Sequence, residues 1–395
     1  MTEEEKQPKE RKPKRRGKGE GSIYYDKKND RYVGSFYTQE GKRKYVYGKT
    51  EKVAREKLRA TQRAEEQGLL VAGPKQTLRQ FLEHWLENVH KPRIRVSTYV
   101  YYRSMVLKHI LPELGHLQLR NLKPEHVEAF YARMEKEGFS AGTVNLMHGV
   151  LHKALEQAVR RGMIPRNVCD LVSPPRLATR EAQPLTTDQA HKLLEVVRGH
   201  QLEAALTLAL VTGIRRGELL GLRWQDIDFE KKSLQIRRTL SYLTGHGFKE
   251  SEPKTASSRR KIILPQFVLD VLKRYRAQQK EIRLKAGPAW QDHDLVFCNG
   301  HGGFLRPDRL VEMFHTLLKD AGLPHMRFHD LRHSAATLLL SMGVPAKVVQ
   351  EILGHSRIGV TLDTYSHVLP GMQQDAMEKW DEWLRDDGDA EEESE

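Results

Sequence analysis

The sequence contains very little cysteine. Only Cys169 and Cys298 occur among 395 residues, far apart and outside any CxxC or Cys/His spacing typical of zinc ligands. Such a pair cannot form a disulfide framework, and chains without one are typical of the reducing cytosol. The sequence therefore predicts a cytoplasmic protein with no structural zinc site.

Long apolar runs are also missing. No stretch approaches the roughly 18 residues of a membrane span, and the charged amino terminus lacks the apolar segment of a signal peptide. The ATP-binding pattern GxxxxGK[ST], the zinc pattern HExxH and clusters of metal-binding carboxylates are absent too. We therefore expect no membrane partner, no metal site and no cofactor.

Positive charge, in contrast, is abundant. Lys and Arg total 66 against 52 Asp and Glu, which gives a formal net charge of +14. Residues 1–18 form a basic tail that we expect to be disordered, whereas residues 386–395 form an acidic tail that we expect to be solvated. A basic body between these tails favours a polyanionic partner such as nucleic acid.

Residues 19–70 have the pattern of three strands followed by a helix. Short aromatic and β-branched runs are separated by Asn29-Asp30 and Glu40-Gly41, and a helical period begins at Thr50. Alternation predicts that Arg31, Val33, Ser35 and Tyr37 face away from the helix. A basic face of this size can enter a major groove, and a capping module without a ligand is the alternative. The candidate DNA contacts here are Arg31, Ser35, Tyr37 and Lys44.

Residues 77–176 are predicted to be entirely helical, and residues 180–385 to be α-rich with a minor antiparallel sheet. In the former, an apolar stripe from Val144 to Ala158 marks a core-facing helix. In the latter, the runs 227–229, 233–239 and 261–264 are predicted strands. The fold class is therefore mainly α with small antiparallel sheets, in three domains. Basic residues on or beside the striped helix are candidate DNA contacts: Lys153, Arg160 and Arg161.

Five short motifs follow one another in the third domain. Taken singly, a His and an Arg one helical turn apart are more often a surface pair. Together and in this order, the five motifs resemble the catalytic motifs of tyrosine recombinases, the integrases of phages and conjugative elements. The motifs are Thr212-Gly213-Ile214-Arg215-Arg216-Gly217-Glu218, Pro253-Lys254-Thr255 with Ser258, Arg259 and Arg260, His329-Asp330-Leu331-Arg332-His333, Leu353-Gly354-His355, and Thr361-Leu362-Asp363-Thr364-Tyr365.

The resemblance covers nearly the whole chain. Residues 19–70 are similar to the arm-binding module of such integrases, 77–176 to their core-binding domain and 180–385 to their catalytic domain. It implies a site-specific recombinase that cleaves and rejoins DNA through a 3′-phosphotyrosyl intermediate to integrate and excise a mobile element or prophage. Its implied partners are double-stranded DNA with core and arm-type sites, three further copies in a homotetramer on synapsed DNA, a DNA-bending accessory protein and an excisionase.

The resemblance also implies a role for each catalytic candidate, and elementary chemistry agrees. Charge that develops on a phosphodiester's non-bridging oxygens matches the paired donors of Arg215 and Arg332. Tyr365 is mostly protonated at pH 7, so the attacking hydroxyl needs either a proton acceptor, a role in which His329 can help, or a strongly electrophilic phosphate. The departing 5′ oxygen needs a proton, which Lys254 would supply.

Supporting roles fall to His355, which would hydrogen-bond a phosphate oxygen, and to Glu218, which would orient Arg215 or its neighbours. Because the phosphotyrosyl ester keeps the bond energy needed for religation, neither ATP nor a metal ion is required. A type IB topoisomerase-like enzyme and a non-cutting DNA-binding regulator of the same fold are the alternatives. The two N-terminal modules favour recombination over the former, and the intact catalytic set argues against the latter.

A further pattern follows the tyrosine. Met372, Ala376, Trp380 and Trp383 recur at three- and four-residue intervals after Gly371, which predicts an amphipathic helix. The helix could pack on its own domain or on a neighbouring protomer, and the sequence leaves both open.

Overall fold

A computed structural model describes residues 21–38, 41, 43–66, 76–177, 184–252, 259–356, 358–359, 377–378 and 380–381. The chain divides into two compact units, Met1–Thr179 and Arg180–Glu395. The predictions for both charged tails, Lys254 and Tyr365 lie outside the described residues. In the described part of the chain, no helix is long and apolar enough to cross a membrane.

The first unit begins with an antiparallel sheet that one helix covers. Gly34 identifies the covered face, because a Cβ there would lie 2.8 Å from Cγ2 of Val46 and 3.4 Å from Cβ of Leu58 on the helix. The predicted turn at Asn29-Asp30 is present, with Asp30 at a φ of 47°. The predicted strands and helix are thus confirmed. They are β1 (Ser22–Asp26), β2 (Arg31–Tyr37), β3 (Arg43–Gly48) and α1 (Glu51–Glu66), with the sheet order β1-β2-β3.

The rest of the described first unit is helical, as predicted. Thr77 begins this region with a capping box, in which its hydroxyl accepts from the backbone of Gln80 and the Gln80 side chain accepts in return. The apolar stripe from Val144 to Ala158 is buried in the core together with Phe81. The helices are α2 (Leu78–His84), α3 (Val96–Met105), α4 (Leu111–Leu114), α5 (Pro124–Lys136) and α6 (Ala141–Arg160), and π-helical turns at Trp85–His90 and Val106–Ile110 extend α2 and α3.

The second unit is also mainly helical, which confirms the predicted fold class. Its central helix, α8, is apolar along its length and packs against α10 and α12. The helices are α7 (Thr187–Val196), α8 (Glu203–Thr212), α9 (Arg216–Leu220), α10 (Gln266–Ala286), α11 (Pro307–Asp320), α12 (Asp330–Ser341) and α13 (Ala346–Leu353).

The predicted minor sheet is present, with one difference. Its strands are β4 (Ile227–Asp228), β5 (Ser233–Gln235) and β8 (Lys261–Ile263), in the order β4-β5-β8. The predicted strand 233–239 is too long, because Thr239 instead begins a separate hairpin of β6 (Thr239–Leu243) and β7 (Gly247–Ser251). Gly245 and Gly247, both at positive φ, allow the tight turn between these two strands.

Candidate active site

Three motifs of the second unit lie at the ends of helices. Arg215 is the N-cap residue of α9, Arg332 lies in the first turn of α12, and His355 follows α13. Both α8 and α13 end at a glycine in the left-handed region, Gly213 with a φ of 59° and Gly354 with a φ of 69°. Glycine adopts this C-terminal conformation without a Cβ penalty. The chain therefore turns sharply just before Arg215 and just before His355.

Gly213 also determines how closely these helix ends approach. A Cβ at this position would lie 2.3 Å from Cδ2 of Leu353, 3.4 Å from Cβ of Ala335 and 3.5 Å from Cγ of Arg332. Leu353 is fully buried, so its side chain has no free space to move into. The absence of a side chain at residue 213 thus lets the ends of α8, α12 and α13 meet.

Two guanidinium groups connect the motifs. Arg332 donates from Nη1 to the carbonyl oxygen of Gly213 over 2.7 Å, and Arg215 donates from Nη2 to that of Gly354 over 3.2 Å. Arg332 is buried, whereas 36% of the Arg215 side chain is exposed. Each bond joins residues far apart in the sequence, so each guanidinium has a defined position.

Glu218 holds Arg215 at two points. One carboxylate oxygen accepts from the backbone N–H of Arg215 over 3.2 Å, and the other accepts from Nη1 of Arg215 over 2.9 Å. A third bond, of 3.0 Å, comes from Nη2 of Arg260. Glu218 is 2% exposed, and burial favours its neutral form, but Arg260 and Arg215 keep the pKa of its carboxyl below the ordinary value. Glu218 is therefore a buried carboxylate between two guanidinium groups.

Two histidines lie in the same positive surroundings. Desolvation by the surrounding protein, with His333 and Arg332 nearby, lowers the pKa of His329 to about 4. Desolvation likewise lowers the pKa of His355 to about 4, and the positive charges of Arg332 and Arg215 add to this effect. Both imidazoles are thus neutral at pH 7, and a neutral imidazole can accept a proton at one nitrogen and donate one from the other.

The structure brings together four of the six predicted catalytic residues, and Glu218 with them. Lys254 and Tyr365 lie outside the described residues. Sequence reasoning assigned no role to Arg260, because its inward position is visible only in the structure. Residues 260–263 alternate between buried and exposed, which places Arg260 on the same inward face as the core residue Ile262. An arginine on the inward face of a strand requires a buried partner.

On the sheet of the first unit, the predicted DNA contacts differ in accessibility. Tyr37 is 68% exposed, and the guanidinium of Arg31 lies 4.1 Å from the ring centre of Tyr47. Ser35 and Val33 lie on the face away from α1, as predicted, but both are only 2% exposed, so the prediction of Ser35 as a DNA contact is wrong. Arg43 donates to the hydroxyl of Ser35 over 3.1 Å and covers it.

Lys44 does not share the face of Tyr37. It pairs with Phe36 across β2 and β3, so it lies on the face that α1 covers and is half-buried. The uncovered face carries accessible residues that the sequence analysis did not name as contacts: Tyr24, Arg43, Tyr45 and Tyr47.

The basic residues predicted beside the apolar stripe of α6 are all exposed. Lys153 and Arg160 lie on α6, and Arg161 is its C-cap residue. Lys153 and Arg160 line a cavity of about 510 Å³ together with Arg93 and Tyr102. The ammonium of Lys153 lies 5.8 Å from the ring centre of Tyr102. This part of the first unit thus combines cationic groups with an aromatic ring.

Comparison with known proteins gives consistent matches. Residues 183–371 match the phage integrase family, and residues 77–134 match the N-terminal SAM-like domain of phage integrases. A tyrosine recombinase XerC-like protein of Caldanaerobacter subterraneus subsp. tengcongensis is 32% identical over 354 residues, which cover 85% of this chain and 90% of that protein. An integrase of Streptomyces ambofaciens is 30% identical over 377 residues, 92% of this chain and 96% of that protein.

Proteins of known structure share this fold as well. The integrase of transposon Tn1549, in complex with transposon right end DNA, aligns with a TM-score of 0.65 at 24% identity. The alignment covers 77% of this chain and 99% of that chain. This likeness shows a shared fold.

Proposed function

The chain belongs to the phage integrase family of tyrosine recombinases, and we propose that it is a site-specific DNA recombinase that integrates and excises a mobile element or prophage. The observation that carries this proposal is the convergence of Arg215, Arg332, His329 and His355 around one site. The names of the relatives, which are recombinases and integrases, favour recombination over the topoisomerase and regulator alternatives.

In the proposed reaction, the hydroxyl oxygen of Tyr365 attacks the scissile phosphorus. A phosphotyrosyl bond to the 3′ side forms, and the bond to the 5′ oxygen breaks. Arg215 and Arg332 bind the non-bridging oxygens, on which negative charge accumulates. Their fixed positions support this role, because donors that are already oriented need no reorganisation when charge develops.

Two proton transfers complete the step. The neutral imidazole of His329 accepts the proton of Tyr365, and Lys254 gives a proton to the departing 5′ oxygen. His355 donates a hydrogen bond to a phosphate oxygen, and its neutral ring at pH 7 supports this role. In the second half of the cycle, the 5′ hydroxyl of another strand attacks the phosphotyrosyl ester. Because that ester keeps the bond energy, we propose a reaction without ATP or a metal ion.

We further propose that residues 19–70, 77–176 and 180–385 act as arm-binding, core-binding and catalytic domains in the bacterial cytoplasm. The exposed tyrosines and arginines of the sheet support an arm-type DNA contact, with the basic tail of residues 1–18 adding charge. The exposed Lys153, Arg160 and Arg161 support contact with core DNA. Exchange of strands between two sites requires four tyrosines, so the proposed assembly is a homotetramer on DNA, with a DNA-bending protein and an excisionase as accessory partners.

The test of this function is capture of the covalent intermediate. A duplex carrying the attachment site, read from the DNA that flanks the gene and nicked near the cleavage position, should trap the protein as a 3′-phosphotyrosyl adduct. Tyr365→Phe should remove the adduct and retain DNA binding, because only the attacking oxygen is lost. An adduct that persists in the Phe variant would refute the assignment of Tyr365.

A further inference from the structure

Arg260 is a buried cation that bonds to two parts of the site. Only 8% of Arg260 is exposed to solvent, and its Nη2 donates to Oε2 of Glu218 over 3.0 Å. Its Nε donates to the carbonyl oxygen of Ile352 over 2.6 Å. Arg260 stands immediately before β8, so a rigid strand holds its backbone. The side chain thus joins the Glu218 carboxylate to the last turn of α13.

The bond to Ile352 lies at the same helix end as a bond from Arg215. Arg215 donates to the carbonyl oxygen of Gly354, two residues beyond Ile352. The carboxyl end of a helix carries partial negative charge and unpaired carbonyl groups, which cations stabilise. Arg260 and Arg215 therefore share two acceptors, the Glu218 carboxylate and the end of α13. A change in the position of either guanidinium alters the bonds available to the other.

We propose that Arg260 is a positioning residue for DNA cleavage, which holds the guanidinium of Arg215 in place through Glu218 and the end of α13. This inference rests on the proposed function, because Arg215 is assigned to the scissile phosphate there. Two nitrogens of the Arg260 guanidinium, Nε and Nη2, donate to the carbonyl oxygen of Ile352 and to Glu218, whereas 36% of the Arg215 side chain is exposed. Arg260 thus acts on the reaction only through its neighbour.

The charge balance around Glu218 explains why Arg215 depends on Arg260. Without Arg260, the buried Glu218 carboxylate keeps Arg215 as its cationic partner among the described residues. Burial then favours protonation of the Glu218 carboxylate. In the ionised state it draws the Arg215 guanidinium inward, and in the neutral state it binds that guanidinium more weakly. Either change moves Arg215 away from the position in which it meets the phosphate.

The experiment compares two substrates that differ in charge at the scissile phosphate. One is the attachment-site duplex with an ordinary phosphate, and the other carries a methylphosphonate, in which a methyl group replaces a charged non-bridging oxygen. Because methylphosphonate lacks that charge, its cleavage depends less on a guanidinium. Arg260→Met should slow cleavage of the phosphate substrate by roughly 100-fold, the typical loss for one transition-state donor. On methylphosphonate, most of this loss should disappear.

Arg274→Met is the matched control, because it makes the same chemical change and also breaks an arginine–glutamate pair, with the exposed Arg274 bonded to Glu203. It should cleave both substrates at the wild-type rate. If Arg260→Met fails to fold, the same comparison is made with Arg260→Lys, whose ammonium keeps the charge but cannot offer the planar fork to both acceptors. Arg260→Lys should then show a smaller loss on phosphate that again largely disappears on methylphosphonate.

Three results separate the possible failures. Equal losses of Arg260→Met or Arg260→Lys on both substrates, with wild-type DNA binding, would overturn the positioning role, because a general structural defect does not distinguish the substrates. Wild-type protein that forms no adduct with the phosphate substrate would instead overturn the proposed function. An unchanged cleavage rate in Arg260→Met would refute the role of Arg260 and leave the proposed function intact.

Discussion

Replacement of Gly213 by alanine is expected to destabilise the second unit, Arg180–Glu395, through two additive costs. The residue has a φ of 59°, and a non-glycine residue in this region costs about 1–2 kcal/mol. The new Cβ would lie 2.3 Å from Cδ2 of the fully buried Leu353. Relief of such an overlap in a packed core costs about 1–3 kcal/mol. The free energy of unfolding should therefore fall by about 2–5 kcal/mol.

A matched glycine separates the two costs. Gly199 lies in the same unit with a φ of 75°, and a Cβ there would meet no atom within 4 Å. Gly199→Ala should thus carry the backbone cost alone, about 1–2 kcal/mol. The difference between the two variants measures the packing of Gly213 against Leu353.

Urea unfolding of the full chain, followed by circular dichroism, gives both free energies. Thermal unfolding should agree, since each kcal/mol lowers the melting temperature of a domain of this size by roughly 2–4 °C. Gly213→Ala should also slow DNA cleavage, because the carbonyl oxygen of Gly213 accepts from Arg332. Equal destabilisation by Gly213→Ala and Gly199→Ala would refute the close approach of α8 to α13.

Four further predictions concern chemistry and assembly. The pKa of His355 is about 4 in the folded protein and about 6.5 in the unfolded chain, so the unfolded chain binds more protons between these pH values. The free energy of unfolding should therefore fall as the pH is lowered from 7 to 4. His355→Gln should reduce this dependence of the unfolding free energy on pH, measured by urea titration at each pH. Lys254→Ala should be largely rescued by a 5′-bridging sulfur, which leaves without a proton, and equal impairment on oxygen and sulfur would remove Lys254 from the general-acid role. A chain beginning at residue 75 should cleave core DNA but lose binding to arm-type DNA in a shift assay, and retained arm binding would contradict the arm module. Deletion of residues 371–395 should preserve binding to one site and abolish tetrameric complexes in native mass measurement, whereas normal tetramers would favour a helix packed on its own domain.

Much of the fold was predictable because its signals are local. The stripe from Val144 to Ala158 repeats with the helical period, and α6 buries it. The strands of the first module were predictable for the same reason, from turn residues and alternation. The hairpin of β6 and β7 was not predicted, because only residues 236–238 lie between β5 and β6, and the pairing of Thr239 with Ser251 is what makes β6 a separate strand.

The solvent exposure of a side chain was less predictable than the face of the sheet on which it lies. Ser35 lies on the uncovered face of the sheet, as alternation requires, but Arg43 from the next strand covers it. Lys44 lies on the opposite face for the same periodic reason. Alternation gives the direction of a side chain, whereas its exposure depends on the length and charge of cross-strand neighbours.

The sequence alone determined the family and the mainly α fold class and predicted the catalytic residues, because motif residues and their order are properties of the chain itself. The tertiary structure decided which groups meet. Gly213 is a helix end in the sequence, but only packing shows that Leu353 and Arg332 approach it. Arg260 is one cation among many in the sequence, and its role depends on Glu218 and Ile352, residues distant along the chain. Bonds over such separations arise from the folding of the whole domain, which no local pattern encodes.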